Sequence, residues 1–311
     1  MRFVTALLAL ASIHAAPAAA QETPPSVITR QRGGTYIEPP AGVDPAYVPR
    51  GPNAPAVSAE AAAPLSLQLA LDLPLRSGGT ASLGRGTQGS TAVSPTLQAR
   101  VRWTPLPQSY WFAQLVFYRY LRRDQQQPWH PDYSYGFGYD DPHPGTWSFF
   151  YANYTGTRWQ PSAGEGRFNF PEGQWTLAYR LAPTPALERA LLVGDGDTAN
   201  CSAALNLVPR YVDFASGAER HLKHSASFGC RYTRPQGWYA ELTLYAWPQG
   251  SQQQPWDPDF TYGFGFQDAG PGHLALRYNN YSGNRFPGRT RGAGEGALRS
   301  GSITLSWDVE W

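Results

Sequence analysis

From residue 65 onward, apolar and polar positions alternate with a period of two in short segments, the pattern of strands buried on one face only. Twelve such segments are readable, near 65–75, 93–103, 110–121, 133–140, 145–154, 173–182, 201–208, 224–233, 237–247, 260–267, 272–281 and 301–311. Their length suits a tilted strand that crosses a membrane, which needs ~9–11 residues. The connectors take turns in length. Long ones (76–92, 122–132, 155–172, 209–223, 248–259, 282–300) alternate with short ones such as "TPLPQS", "DDPHPG", "TRPQG" and "DAGPG". The exception is 183–200, which carries a short helical pattern from Pro185 to Leu192. Long loops gathered at one end, short turns at the other and an even strand number are the pattern of a transmembrane β-barrel.

The alternation also assigns faces. In the third segment Trp111, Ala113, Leu115 and Phe117 stay apolar, as do their counterparts Trp238, Ala240, Leu242 and Leu244 in the ninth. These are read as lipid-facing. The other parity, with Gln114, Tyr118, Glu241 and Tyr245, is read as lumenal. In the eleventh segment His273, Arg277 and Asn279 share the lumenal parity, because an unpaired Arg277 against lipid would be costly at mid-depth. In the fourth segment the lumenal positions are Ser134, Gly136 and Gly138, and the tenth repeats the small-residue pattern with Thr261, Gly263 and Gly265, which predicts a sharp bend and open interior space.

The chain repeats itself. With an offset of 127 residues, Trp111–Tyr154 aligns without a gap onto Trp238–Tyr281, and 21 of 44 positions are identical. The match resumes with "AGEG" at 163–166 and 293–296, and with "GQWTLAYRL" facing "GSITLSWDV". We therefore expect two six-stranded repeats, 65–182 and 201–311, joined by a seam at 183–200. Closing the two sheets on each other would remove every open edge.

The last segment, "SITLSWDVEW", alternates Ile303, Leu305, Trp307 and Val309 and ends on Trp311. An aromatic-terminated strand of this kind resembles the signal that outer-membrane barrels present to their assembly machinery. Residues 65–311 thus resemble a bacterial outer-membrane β-barrel, porin-like and of about twelve strands. The resemblance is one of architecture and carries over no family-specific residues.

The remaining sequence fits that address. Residues 1–20 read as a secretory signal, with an early Arg2, an apolar run from Phe3 to Ile13 and small residues at Ala18 and Ala20. Residues 21–64 are rich in Pro, Ala and Gly without periodicity, and are expected to be a flexible periplasmic tail that could hold a periplasmic partner. Charged residues make up only 15% and the formal net charge is +2, which gives no electrostatic case for nucleic acid.

Candidate chemistry is sparse. "HLKHSAS" brings His221, His224, Ser225 and Ser227 together without an orienting carboxylate at readable spacing, so no enzyme is expected, a lipid-modifying one being the least favoured reading. His130, His143 and His273 share no ligand spacing, and "GDGD" at 194–197 lacks the rest of a calcium loop, so neither metal nor cofactor is expected. Cys201 and Cys230 are direct opposites if the chain turns near Gly217; a disulfide or two buried thiols both fit.

The motif "QQQPWHPD", repeated as "QQQPWDPD", supplies the loop candidates Trp129, Asp132, Trp256 and Asp259. One reading makes them flat aromatic faces beside polar groups, suited to sugar rings. The other makes them a proline-rich turn in which Asp caps the next strand. The functional expectation is an outer-membrane channel for a small or linear polar solute, a saccharide or exported polysaccharide among them. The alternative is a closed structural barrel acting as a scaffold or through its loops.

Overall fold

The computed structural model describes residues 29–31, 34–36, 65–75, 80–82, 88–90, 94–106, 109–122, 130–153, 157–160, 169–182, 184, 197–213, 216–254, 257–267, 274–280, 284–289, 298 and 301–310. Twelve strands follow one another: β1 Leu65–Pro74, β2 Thr96–Trp103, β3 Trp111–Tyr120, β4 Tyr133–Asp140, β5 Trp147–Asn153, β6 Gln174–Arg180, β7 Thr198–Val212, β8 Glu219–Thr233, β9 Trp238–Ala246, β10 Phe260–Gln267, β11 Leu274–Asn280 and β12 Ser302–Glu310. Each pairs antiparallel with its neighbours in the chain, and β12 pairs with β1, so the sheet closes into a barrel without an edge. At the closure Leu305 lies opposite Leu71, and Gln68 Nε2 donates to Asp308 Oδ1 at 2.6 Å.

The burial pattern inverts that of a soluble protein. Trp103, Trp111, Trp147 and Trp238 are each half or more exposed, whereas Thr304, Ser306 and Ser148 are no more than 1% exposed. Large apolar side chains cover the outside of every strand with a described outer face, and hydroxyls, amides and charges fill the inside. A soluble monomer rarely exposes a contiguous apolar surface of this extent. The four Trp above all stand where their strands meet the short turns, as an aromatic girdle would.

Registers agree across the two halves. Trp111 faces Tyr139 and Trp238 faces Phe266; Tyr139 faces Phe149 and Phe266 faces Leu276, each pair 127 positions from the other.

Two expectations change. The connector expected at 209–223 is mostly strand: β7 and β8 run on to Val212 and back from Glu219 as a hairpin that outgrows its neighbours. Alternation is lost there because the residues that are buried on the extension include a charged one, Lys223, beside Tyr211. Pro209 also has no N–H to donate, and opposite it Leu222 takes φ 60, which breaks the ladder between Val208–Lys223 and Arg210–His221. Within 21–64, Thr29–Gln31 pairs with Gly34–Tyr36, and the first long connector holds a second short pair, Thr80–Ser82 with Gln88–Ser90.

The second change concerns glycine. The inward glycines of β4 and β10 do not leave the wall bare: a Cβ on Gly138 would sit on the Cα and Cβ of Phe150, and one on Gly265 against Leu276 O and Arg277 Cα. Glycine here admits a close approach of the next strand, and that strand's side chains lie over it.

The helical pattern at 185–192 falls outside the described residues.

Candidate functional site: the barrel interior and its long-loop latches

Alternation along β9, β10, β11 and β12 sends Glu241, Gly263, Asn279 and Ser302 inward as one row, paired in register. The next row toward the short turns is Tyr239, Gly265, Arg277 and Thr304, and Thr304 Oγ1 donates to Asp72 Oδ1 at 2.8 Å. Arg231 lies 3.6 Å over the Tyr239 ring and 3.8 Å from Glu241 Oε2. Its Nη2 donates to Gln267 Oε1 at 2.9 Å, and Arg277 Nη2 donates to Ser306 Oγ at 3.3 Å. A carboxylate and two guanidinium groups thus share one wall, and the opposite charges offset part of the desolvation that Glu241 suffers.

The first half places different chemistry in the same rows. Gln114, Gly136 and Ala152 stand where Glu241, Gly263 and Asn279 stand, and Phe112, Gly138 and Phe150 where Tyr239, Gly265 and Arg277 stand. Phe112, Phe150 and Ala152 form a buried apolar cluster, with Arg102 4.1 Å over the Phe112 ring. Arg180 Nη2 binds Asp140 Oδ1 at 2.6 Å beside it. One wall of the interior is therefore aromatic and the other hydrogen-bonding.

Of the lumenal candidates, Gln114, Tyr118, Glu241, Tyr245 and Arg277 face inward and are half-buried, whereas Asn279 is buried. Tyr118 OH shares a hydrogen bond with Ser134 Oγ at 2.9 Å. His273 falls outside the described residues.

The repeated motif folds into a latch at the other end. Asp132 N donates to Thr157 O and Asp259 N to Asn284 O, both at 2.7 Å. Each carboxylate then holds the following loop: Asp132 Oδ2 accepts from Trp159 N and Asp259 Oδ2 from Phe286 N, both at 3.0 Å. Arg158 reaches Asp132 at 3.2 Å, and Arg289 reaches Asp259 at 2.9 Å with Arg285 at 3.8 Å. Tyr120 OH donates to Pro131 O and Trp247 Nε1 to Pro258 O, so an aromatic of β3 or just past β9 braces each proline. The carboxylates bind their own chain. Trp129 and Trp256 fall outside the described residues.

Within the latch, His130 and Asp257 occupy equivalent positions and use different chemistry. Asp257 takes both oxygens to Lys223 Nζ at 3.2 Å, a pair almost fully buried. Arg285 donates to Asp257 O and, at 2.8 Å, to Gln254 O. His130 instead stacks on Tyr120 with ring centroids 5.1 Å apart, and burial, helped by the charge of Arg158, pushes its pKa down to about 3. Burial likewise pulls the Arg285 guanidinium below its usual range, against the opposing charges of Asp259 and Asp257. None of Lys223, Arg158, Arg285 and Asp257 was singled out from sequence. The signal existed for three of them, because the ungapped match runs on past Tyr154 and Tyr281 to Arg158 and Arg285, and His130 aligns with Asp257.

Cys201 and Cys230 are joined by a disulfide between directly opposed positions of β7 and β8, packed under Leu181, Ala199 and Phe228. In β8, Ser225 is inward and takes a hydrogen bond from Asn206 Nδ2 at 3.3 Å, while the neighbouring His224 takes the other parity, opposite Leu207. His221 is exposed, 3.9 Å from Glu219. Among the described residues no group of three or more His, Cys, Asp or Glu gathers. No family model matches the chain, and no curated protein matches it either.

Proposed function

We propose that the barrel resides in the bacterial outer membrane and passes small polar solutes through its interior, without enzymatic activity. The supporting observation is the inverted burial: tryptophan and leucine outside, and a wall of Gln, Glu, Arg and Tyr inside that stays partly accessible. Twelve strands leave room for a narrow passage at most. The mixed signs of Arg231, Glu241 and Arg277 suit an uncharged or weakly charged solute, a saccharide among them. Lipid and the barrel assembly machinery are its proposed partners, with residues 21–64 available to a periplasmic one.

A second reading, a closed scaffold barrel, is favoured by the inner positions Val116 and Thr304, both 0% exposed. Planar-bilayer recording on the purified barrel separates them: discrete conductance steps are expected of the channel. A barrel that inserts, shifts on a gel when heated, and conducts nothing at any voltage would leave the scaffold.

A further inference from the structure

The two halves of the interior match in register and differ in chemistry, and the difference concentrates at one spot. Positions occupied in the first half by Phe150 and Ala152 hold Arg277 and Asn279 in the second. Asn279 is 1% exposed, and neither its Oδ1 nor its Nδ2 has a hydrogen-bond partner; Arg277 Nε has none either. Both the Asn279 and the Glu241 side-chain oxygens lie over the Cα of Gly263, where any side chain at 263 would collide with them. Buried amide groups are nearly always paired, so two orphaned ones on a single side chain, beside an orphaned guanidinium N–H, are unusual. Nothing comparable occupies the equivalent row of the first half, where Gly136 is flanked by Gln114 and Ala152.

We propose that Glu241, Arg277 and Asn279, over the Gly263 floor, form one solute-binding site in the second half of the lumen, for a neutral hydroxyl-rich ligand such as a saccharide. The groups set the class. Asn279 offers a donor and an acceptor side by side, Arg277 an N–H and Glu241 an acceptor; neighbouring hydroxyls, each able to donate and accept, satisfy all of them. Arg231 already neutralises much of the Glu241 charge, which disfavours a cation as the ligand. The site rests on the channel reading for its access, and its binding can be measured apart from conduction.

Maltose is the probe, followed by current block in a planar bilayer and by calorimetry on the detergent-solubilised full chain. Maltose is expected to block the wild-type current, and Asn279→Ala and Glu241→Gln each to raise the half-blocking concentration about tenfold with the open conductance kept. Asn279→Asp, which keeps the shape and removes the donor, guards against a folding defect in the alanine variant. Gln236→Ala, in the exposed turn after β8, is expected to leave block unchanged. Binding by calorimetry without conductance, lost in Asn279→Ala, supports the site and removes the channel. Conductance with neither block nor heat overturns the site and keeps the channel. Tighter block by gluconate than by maltose overturns the neutral class.

Discussion

Asp259 Oδ2 accepts the backbone N–H of Phe286 at 3.0 Å, the bond that Asp132 makes to Trp159 in the other half. Asp259 is completely buried and also takes Arg289 and Arg285, whereas Asp132 is partly exposed and takes Arg158. Removing a buried partner leaves charges behind. Asp259→Ala is therefore expected to cost about 3 kcal/mol and Asp132→Ala about 1–2 kcal/mol. Thermal unfolding and protease nicking within 282–300 or 155–172 would show the ordering; equal effects would contradict it.

His130 gives the first latch a pH dependence. Its folded pKa, about 3, lies below the unfolded value of 6.5. Above pH 6.5 both states are neutral there and His130 contributes no slope. Between 6.5 and 3 the opened loop binds a proton that the closed loop refuses, so closure weakens as pH falls, by up to ~1.4 kcal/mol per pH unit. Hydrogen exchange at residues 130–133 should quicken from pH 7 to pH 4.5 once the intrinsic rate is corrected, and His130→Gln should abolish that change.

Leu205 is 61% exposed and pairs with Leu177 in the middle of the β6–β7 ladder. If this band meets lipid, Leu205→Arg should cost about 2–4 kcal/mol when the barrel is refolded into vesicles. The same substitution on a water-exposed surface would be nearly neutral, so an unchanged refolding midpoint would remove the membrane assignment.

The disulfide closes a sequence separation of 29 residues. Chain-entropy arguments give such a loop about 3–4 kcal/mol, an upper figure because β7 and β8 already form a hairpin. Cys201→Ser with Cys230→Ser should lower the urea midpoint and leave the register of Ser202 with Gly229 intact by exchange protection.

The strands and their two faces were legible because period two is written into each one: Trp111 out, Phe112 in, Ala113 out. The closed order followed from loop lengths. The latch was harder to read, since Asp132 and its partners Arg158 and Trp159 are separated by the whole of β4 and β5. Sequence spacing suggested a cap on the adjacent strand and missed a grip on a later loop. The hairpin extension was hidden for another reason: strand residues such as Arg210 and His221 carry no apolar face to betray them. The glycine rows misled in sense only, since Phe150 at Gly138 and the backbone of Leu276 and Arg277 at Gly265 come in close where free space was expected.

The pairing of β12 with β1 sets an order of events. Thr304 binds Asp72 across 232 residues and Asp308 binds Gln68 across 240, so β1 can pair early with β2 on one edge, while its other edge has no partner until the last strand is made. The β7–β8 hairpin, by contrast, can zip locally as soon as its turn emerges. Such non-local pairings make closure slow relative to hairpin formation. If the barrel is destined for the outer membrane, as proposed, an open sheet with one greasy face crosses an aqueous compartment during that interval, which would give holdase chaperones a long window in which to act.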